Sequence, residues 1–293
     1  MSGTGPSAAL LADGRLHLQH GPIDLIIEAW GESAEVAAAY RQAIARFDGM
    51  LAVLVQELPQ LRTPLAAVYP LLRGPVARRM LAACWPYRAV YITPMAAVAG
   101  AVADEILQAM LAGRNLSRAY VNDGGDIALH LARGSALTLG MVNVLDHPAI
   151  DATVALHAAM PVRGLATSGW RGRSQSLGIA DAVTIFAADA AAADAAATMV
   201  ANAVNVAHPA IRRMPASRVR ADSDLGELPV TVGVGALPAP TRAEALDGGR
   251  ARARDLQRQG LIHAAYLALQ GEIRAVLPDA ALAGQADRVT ARG

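Results

Sequence analysis

Strand-like segments in this chain follow one another in runs instead of alternating singly with helices, and that order restricts the fold more than any single motif does. Residues 15–30 alternate apolar and polar across a His-Gly-Pro turn, which predicts a hairpin. A second run follows in the middle of the chain, with strands expected near 118–122, 126–131, 135–144 and 152–158, and another at 182–187. "PVTVGVG" reads as a further strand, and "HAAYLALQGEIRAVLP" as a closing hairpin that turns at Gln270-Gly271. "RAVYI", residues 88–92, has strand composition as well. Helices are expected at 32–58, 76–84, 95–112, over the alanine-rich stretch that His208-Pro209 closes, and at 241–259. Thr93 as N-cap with Pro94 at the first turn, and Gly113 at the end, frame the third of these. Blocks of adjacent strands and blocks of helices predict an α+β fold with a mostly antiparallel sheet rather than a doubly wound one. Residues 1–280 are expected to form one domain, with a flexible polar tail over 281–293.

Composition decides what the core is made of. Hydrophobic residues are 54% of the chain but aromatics only 4%, so Leu, Val, Ile, Met and Ala must fill the interior. The longest apolar run, "MAAVAGAVADEILQAMLA", carries Asp104 and Glu105 at its centre and is read as a buried amphipathic helix rather than a membrane span. The first residues have no basic region ahead of an apolar run, so the expected compartment is the cytoplasm. A net charge of +1 makes no electrostatic case for nucleic acid or for an anionic membrane. All 26 basic residues are arginine, which excludes a Schiff-base lysine and a P-loop lysine. Cys84, the lone cysteine, reads as a small buried apolar residue. Common nucleotide-binding glycine motifs and His/Cys metal spacings are absent from the sequence.

Four stretches stand out. In "YVNDGGDIALHL", Asn122, Asp123, Gly124, Gly125 and Asp126 suit a hairpin turn and equally a floor on which a ligand lies. "ATSGWRGRS" brings Thr167, Ser168, Gly169, Trp170, Arg171 and Arg173 together, hydroxyls and guanidinium groups of the kind that bind phosphate oxygens. Trp170 either packs on the core or stacks on a planar ring. In "ADAAAT", Asp194 and Thr198 are spaced i,i+4 and share one helix face, where a carboxylate and a hydroxyl offer hard oxygen donors for Mg²⁺. The plain alternative is an exposed polar stripe that continues through Asn202 and Asn205. Finally, Arg212, Arg213, Arg218 and Arg220 meet Asp222, Asp224 and Glu227, either as a surface ion-pair network or as an anion clamp.

Taken in order, "PMAAVAGAVAD", "NDGGDI", "ATSGWRGRS", "ADAVTIFA" and "AADAAAT" resemble the ApbE superfamily, the FAD:protein FMN transferases, over roughly residues 90–235. The likeness is nearest to an uncharacterised ApbE-like branch. The resemblance implies an α+β, T-fold-like architecture and a bound FAD with Mg²⁺. It implies metal ligands at Asp194 and Thr198, completed by a backbone carbonyl near Val98 to Gly100. It places the flavin nucleotide against Asn122, Asp123, Gly124 and Gly125, and against Thr167, Ser168, Gly169 and Trp170. The implied reaction is attack of a protein hydroxyl on the FAD pyrophosphate, with a redox protein as acceptor. The His-Ile-Ile-Asp-Pro segment of typical transferases is missing. Asp123, Asp126 or Asp181 would then supply the base, and Arg171 or Arg173 would stabilise phosphoryl charge. Two other functions fit the same pattern: a hydrolase acting on a small anionic or ring metabolite, and a non-catalytic flavin-binding protein. Alanine-rich helices can also pair between subunits, so a homo-oligomer is compatible with the sequence.

Overall fold

The computed structural model describes residues 5–141, 152–172 and 174–278. In chain order the elements begin with β1 (Ser7–Leu10), β2 (Leu16–His20), β3 (Ile23–Gly31), α1 (Ser33–Phe47), α2 (Met50–Gln56), α3 (Leu58–Leu61), α4 (Pro75–Cys84) and α5 (Val98–Leu111). The middle comprises β4 (Leu116–Asp123), β5 (Asp126–Leu131), β6 (Ala136–Met141), β7 (Ala152–His157), β8 (Gly164–Ser168) and β9 (Ala182–Ala187). Then come α6 (Ala190–Ala203), β10 (Ile211–Pro215), α7 (Ala216–Val219), β11 (Pro229–Val234), α8 (Ala239–Arg258), β12 (Ala264–Leu269) and β13 (Glu272–Val276). The described strand registers are antiparallel, as the order of the segments predicts.

Two units share this chain. Of the described residues, the first holds 5–137, 156–166 and 188–195, and the second holds 138–141, 152–155, 167–172, 174–187 and 196–278. In the first unit β1 to β5 pair in sequence, and Gly164 and Leu165 of β8 pair with β5. Strand β3 shows why: its residues alternate between buried and partly open, so one face carries Ile23, Leu25, Ile27 and Ala29 into the core. Helix α5 lies against β4 and β5 and is flanked by α1 and α4. Pro94–Leu111 is long and apolar enough to cross a membrane, yet Ala101, Val102, Ala103, Ile106 and Met110 are fully buried inside this unit. In the second unit β9 pairs with β12 and β12 with β13, and α8 covers β12 and β13. Every residue of β9 is buried, so the strand reads as a continuous apolar run.

Several local expectations hold, and several do not. Gln270 (φ 46) and Gly271 (φ 83) make the closing hairpin turn. Cys84 is buried. The helix expected over 32–58 is broken where Gly49 adopts φ 72, and α2 starts on the residue after it. Residues 88–92 form no strand. Their backbone turns after a 3₁₀ segment at Trp85–Tyr87, with Arg88 N–H bonded to the Trp85 carbonyl and Val90 N–H to that of Tyr87. Thr93 stands at an N-cap position, but its side chain makes no capping bond. The Gly- and Ser-rich composition of residues 164–181 predicts a loop leading into β9, but its first residues, Gly164–Ser168, form strand β8.

Two helix starts in the first unit are tied to each other by exchanged carboxylates. Asp104 of α5 accepts hydrogen bonds from the first N–H groups of α6, Ala190 at 3.0 Å and Ala191 at 2.9 Å. Asp194 of α6 accepts in turn from the Gly100 N–H in the first turn of α5, at 3.1 Å. Each helix start has N–H groups with no partner inside its own helix, and the carboxylate of the other satisfies them. The contact is tight enough to require glycine. A Cβ on Gly100 would lie 2.2 Å from the Ala190 carbonyl oxygen, and one on Gly164 would lie 2.0 Å from the Asp189 carbonyl carbon.

Gly100→Ala is therefore expected to lower stability by about 3 kcal/mol or more, read as a reduced urea midpoint. Burial also pushes Asp104 up from 3.8 to about 6, against the lowering effect of the two N–H donors. The folded state then holds this proton more tightly than the unfolded state, so Asp104 contributes stability that is lost as pH rises between 3.8 and about 6. In urea titrations, the stability of the parent relative to Asp104→Asn should fall across that window and level off above it.

Candidate functional site

In the first unit the Asn122–Asp126 stretch is a tight hairpin between β4 and β5. Asp123 faces Asp126 across the ladder, and Gly124 (φ 64) and Gly125 (φ 113) make the two-residue turn. Positive φ at both positions is what a twisted two-residue hairpin demands. The Asn122 side chain stabilises it, its Oδ1 accepting from the Gly125 N–H at 2.8 Å. A Cβ on Gly125 would meet nothing within 4 Å, so the turn surface is open there. Asp123 is buried, while Asp126 is half-buried at the start of β5.

Asp194 is enclosed by protein on nearly all sides while a sliver of its surface stays open. Its carboxyl is held well above the usual carboxylate range, chiefly by that burial. The Gly100 and Ala99 N–H groups pull it down, while the negative charges of Asp123 and Asp104 push it up. Asp104 of α5 and Asp123 of β4 thus both act on Asp194 of α6 in the first unit. Among the described residues, no three His, Cys, Asp or Glu side chains are placed to hold a metal ion by themselves. A cation at Asp194 would need hydroxyl or carbonyl oxygens to complete its shell. Thr198 lies one turn further along α6 and is half-buried, its helical spacing bringing both side chains to one face.

In the second unit Thr167, exposed at the end of β8, bonds through Oγ1 to the Thr184 hydroxyl on β9 at 2.9 Å. The chain then crosses Asp181 so closely that a Cβ on Gly169 would lie 2.3 Å from the Asp181 carbonyl oxygen. The Asp181 carboxylate organises the loop after β8. Its Oδ1 accepts from Trp170 Nε1 and from Arg171 Nε, both at 3.2 Å, and its Oδ2 accepts from the Gln270 N–H at 2.5 Å. The Arg171 guanidinium lies 4.7 Å from the centre of the Trp170 ring. Trp170 is thus half-buried, with its N–H bound and one ring face covered by a cation. Arg173 lies outside the described residues. Ser168 is half-buried beside this loop.

Asn202 and Asn205 have structural partners in this unit. Asn202 Oδ1 accepts from the Leu177 N–H at 2.9 Å, and Asn205 Nδ2 donates to the Leu177 carbonyl at 3.2 Å. Arg213 donates to Asn205 Oδ1. The α6 backbone approaches Gly178 so closely that a Cβ there would lie 1.9 Å from the Ala201 carbonyl oxygen.

Sequence reasoning missed Asp104 as a partner of α6. It also missed that Gly100, Gly164 and Gly178 are among the places where α6 or the residue before it touches neighbouring backbone. A signal was present: an acid inside an apolar alanine helix needs a specific partner.

The family model described as AbpE bacteria matches residues 8–275. A UPF0280 protein of Methanothermobacter thermautotrophicus is 36% identical over 135 residues, covering 45% of this chain and 50% of that protein. A UPF0280 protein of Methanopyrus kandleri is 32% identical over 187 residues, covering 62% of this chain and 73% of that protein. One from Methanothrix thermoacetophila is 36% identical over 132 residues, covering 44% and 52%. Apart from the Methanopyrus protein, the chain thus spans about half the length of these curated relatives. Among solved structures, the ApbE protein of Thermotoga maritima is 13% identical, with 94% of this chain and 97% of that chain covered and a TM-score of 0.47. The apo flavinyl transferase ApbE of Pseudomonas stutzeri is 13% identical, with 96% and 97% covered and a TM-score of 0.42. The sequence match over nearly the whole described chain decides the assignment that the order of the motifs predicts: this protein belongs to the AbpE bacteria family, within the wider ApbE group.

Proposed function

We propose that the chain acts on FAD with a divalent cation held by Asp194 and Thr198, cleaving the pyrophosphate and passing FMN to a Ser or Thr hydroxyl of an acceptor protein. One observation carries the reading: the Asp194 carboxylate is enclosed by protein, has Asp123 and Asp104 as negative neighbours, and binds its proton more tightly for both reasons. A cation beside it would relieve that repulsion. Carboxylate and hydroxyl are the oxygen donors that suit Mg²⁺. The residues therefore fit the ion that the family resemblance implies. Bound there, Mg²⁺ would supply charge neutralisation at the phosphoryl oxygens and at the departing AMP.

The chain's own groups do the rest. Asn122, Asp123, Gly124 and Gly125, and Thr167, Ser168, Gly169 and Trp170, are the nucleotide contacts that the family resemblance implies. In transfer, the acceptor oxygen bonds to the FMN phosphorus as the pyrophosphate P–O bond breaks and AMP leaves. The hydroxyl proton passes to a carboxylate, and Asp126, half-buried beside the open hairpin turn, is our candidate for it. Asp181 and Arg171 are bonded to each other and to Trp170, which gives them a positioning role in the loop in addition to any contact with phosphate. That pairing also favours a second reading, a flavin nucleotide binder without turnover.

Incubation of the purified protein with FAD and Mg²⁺, followed by chromatography for AMP, separates the two. AMP release supports transfer or pyrophosphate cleavage, whereas tight FAD binding with no AMP supports the binder. By calorimetry, Asp194→Ala should remove Mg²⁺-dependent FAD binding, and Thr198→Val should weaken it about tenfold. An unchanged Mg²⁺ affinity in Asp194→Ala would overturn the metal assignment.

A further inference from the structure

One surface of the first unit lies outside the residues proposed for flavin chemistry. We propose that the loop 63–74, together with the turn 85–92 beside it, docks this protein onto an anionic lipid bilayer. Val68 and Leu71 are 81% and 83% exposed, so their side chains stand almost free of the protein. Tyr69 packs edge-on against Trp85, ring centres 4.7 Å apart, and the Arg88 guanidinium lies 4.7 Å from the Trp85 ring centre. Val90, also exposed, extends the apolar surface, and Arg73 and Arg88 are exposed around it.

The loop is built to hold this shape. Glu57 accepts from the N–H groups of Arg73 at 2.6 Å and Gly74 at 2.8 Å, and Leu65 N–H bonds to the Ile92 carbonyl at 2.9 Å. Leu65 and Leu72 are buried anchors, so the exposed residues between them are presented by a fixed base. Aliphatic tips, an aromatic pair behind them and arginines at the margin match the order of a bilayer interface: acyl boundary, headgroup level, phosphate.

Charge identifies the occupant. Residues 41–92 carry seven arginines against two acids, Asp48 and Glu57, in a chain whose net charge is only +1; Arg46 and Arg79 are paired with Glu105, while Arg73, Arg78 and Arg88 are exposed. Glu57 binds the loop backbone, so the exposed charge at the loop and the turn is that of Arg73 and Arg88. The whole-chain sum, which makes no electrostatic case for an anionic membrane, conceals this local excess. A second copy of the chain would bring the same cations face to face, so self-pairing through this surface is opposed. Anionic headgroups complement it.

Flotation with vesicles of POPC containing about 30% POPG, and with POPC alone, tests the assignment. The protein should float with the anionic vesicles about tenfold more than with POPC, and about 0.5 M salt should weaken the association. The double variant Val68→Glu/Leu71→Glu should lose it while keeping the parent's urea midpoint, because both side chains are exposed. Arg73→Gln/Arg88→Gln should weaken binding to anionic vesicles while leaving the midpoint unchanged. Equal flotation of the parent and the double glutamate variant would overturn the proposal, as would no flotation of the parent. A parent dimer that the glutamates convert to monomer would overturn it too, assigning the surface to protein contact.

Discussion

The exchange of carboxylates between α5 and α6 is the constraint on which the packing of these two helix starts depends. Asp104 satisfies the first N–H groups of α6, and Asp194 satisfies Gly100 at the start of α5. Both acids sit where helix N-termini stabilise negative charge, yet burial raises the proton affinity of each. The two effects oppose each other, and burial wins. The result is a pair of acids held in place by backbone N–H groups but not fully compensated by them.

That imbalance is what the cation proposed for Asp194 would relieve. A carboxylate that is fixed in position and short of positive charge is prepared for a cation, whereas one already paired with arginine is not. Asp181 illustrates the contrast: its oxygens are occupied by Trp170, Arg171 and a backbone N–H, and its role is to shape the loop after β8. Glu105 beside Asp104 is likewise neutralised, by Arg46 and Arg79, which hold its carboxyl below the usual range despite partial burial. Of two adjacent acids on one helix, one is spent on ion pairs and the other on the helix contact next to Asp194.

The small side chains are the other half of this design. Helix α6 is mostly alanine, and the backbones it meets carry glycine at the points of closest approach: Gly100 and Gly164 in the first unit, Gly178 in the second. Alanine composition explains the scarcity of aromatics in the core, because elements packed this closely leave little room for rings. It also explains why the helix tolerates acids and hydroxyls at defined positions without burying large polar groups around them.

Much of this was legible in the residues. Alternation in β3, the Gly124-Gly125 and Gln270-Gly271 turns, and the alanine helix all derive from local rules about φ, side-chain direction and propensity. The i,i+4 placement of Asp194 and Thr198 comes from the same helical period, and the order of the motifs named the family. The failures were also local in origin: residues 88–92 have strand composition but turn instead, and Gly164–Ser168 looks like a loop but pairs as a strand. What tertiary structure alone decided is which acid meets which donor. Asp104 bonds to residues 86 and 87 positions away, and Asp194 to one 94 away. Such pairings depend on how helices are brought together, and a charge's proton affinity depends on the burial and the neighbours that this contact creates. Sequence by itself therefore determined the pieces and the kind of chemistry they can carry, while packing selected which carboxylate is buried beside two others, because solvation and electrostatics are properties of the folded surroundings rather than of the residue.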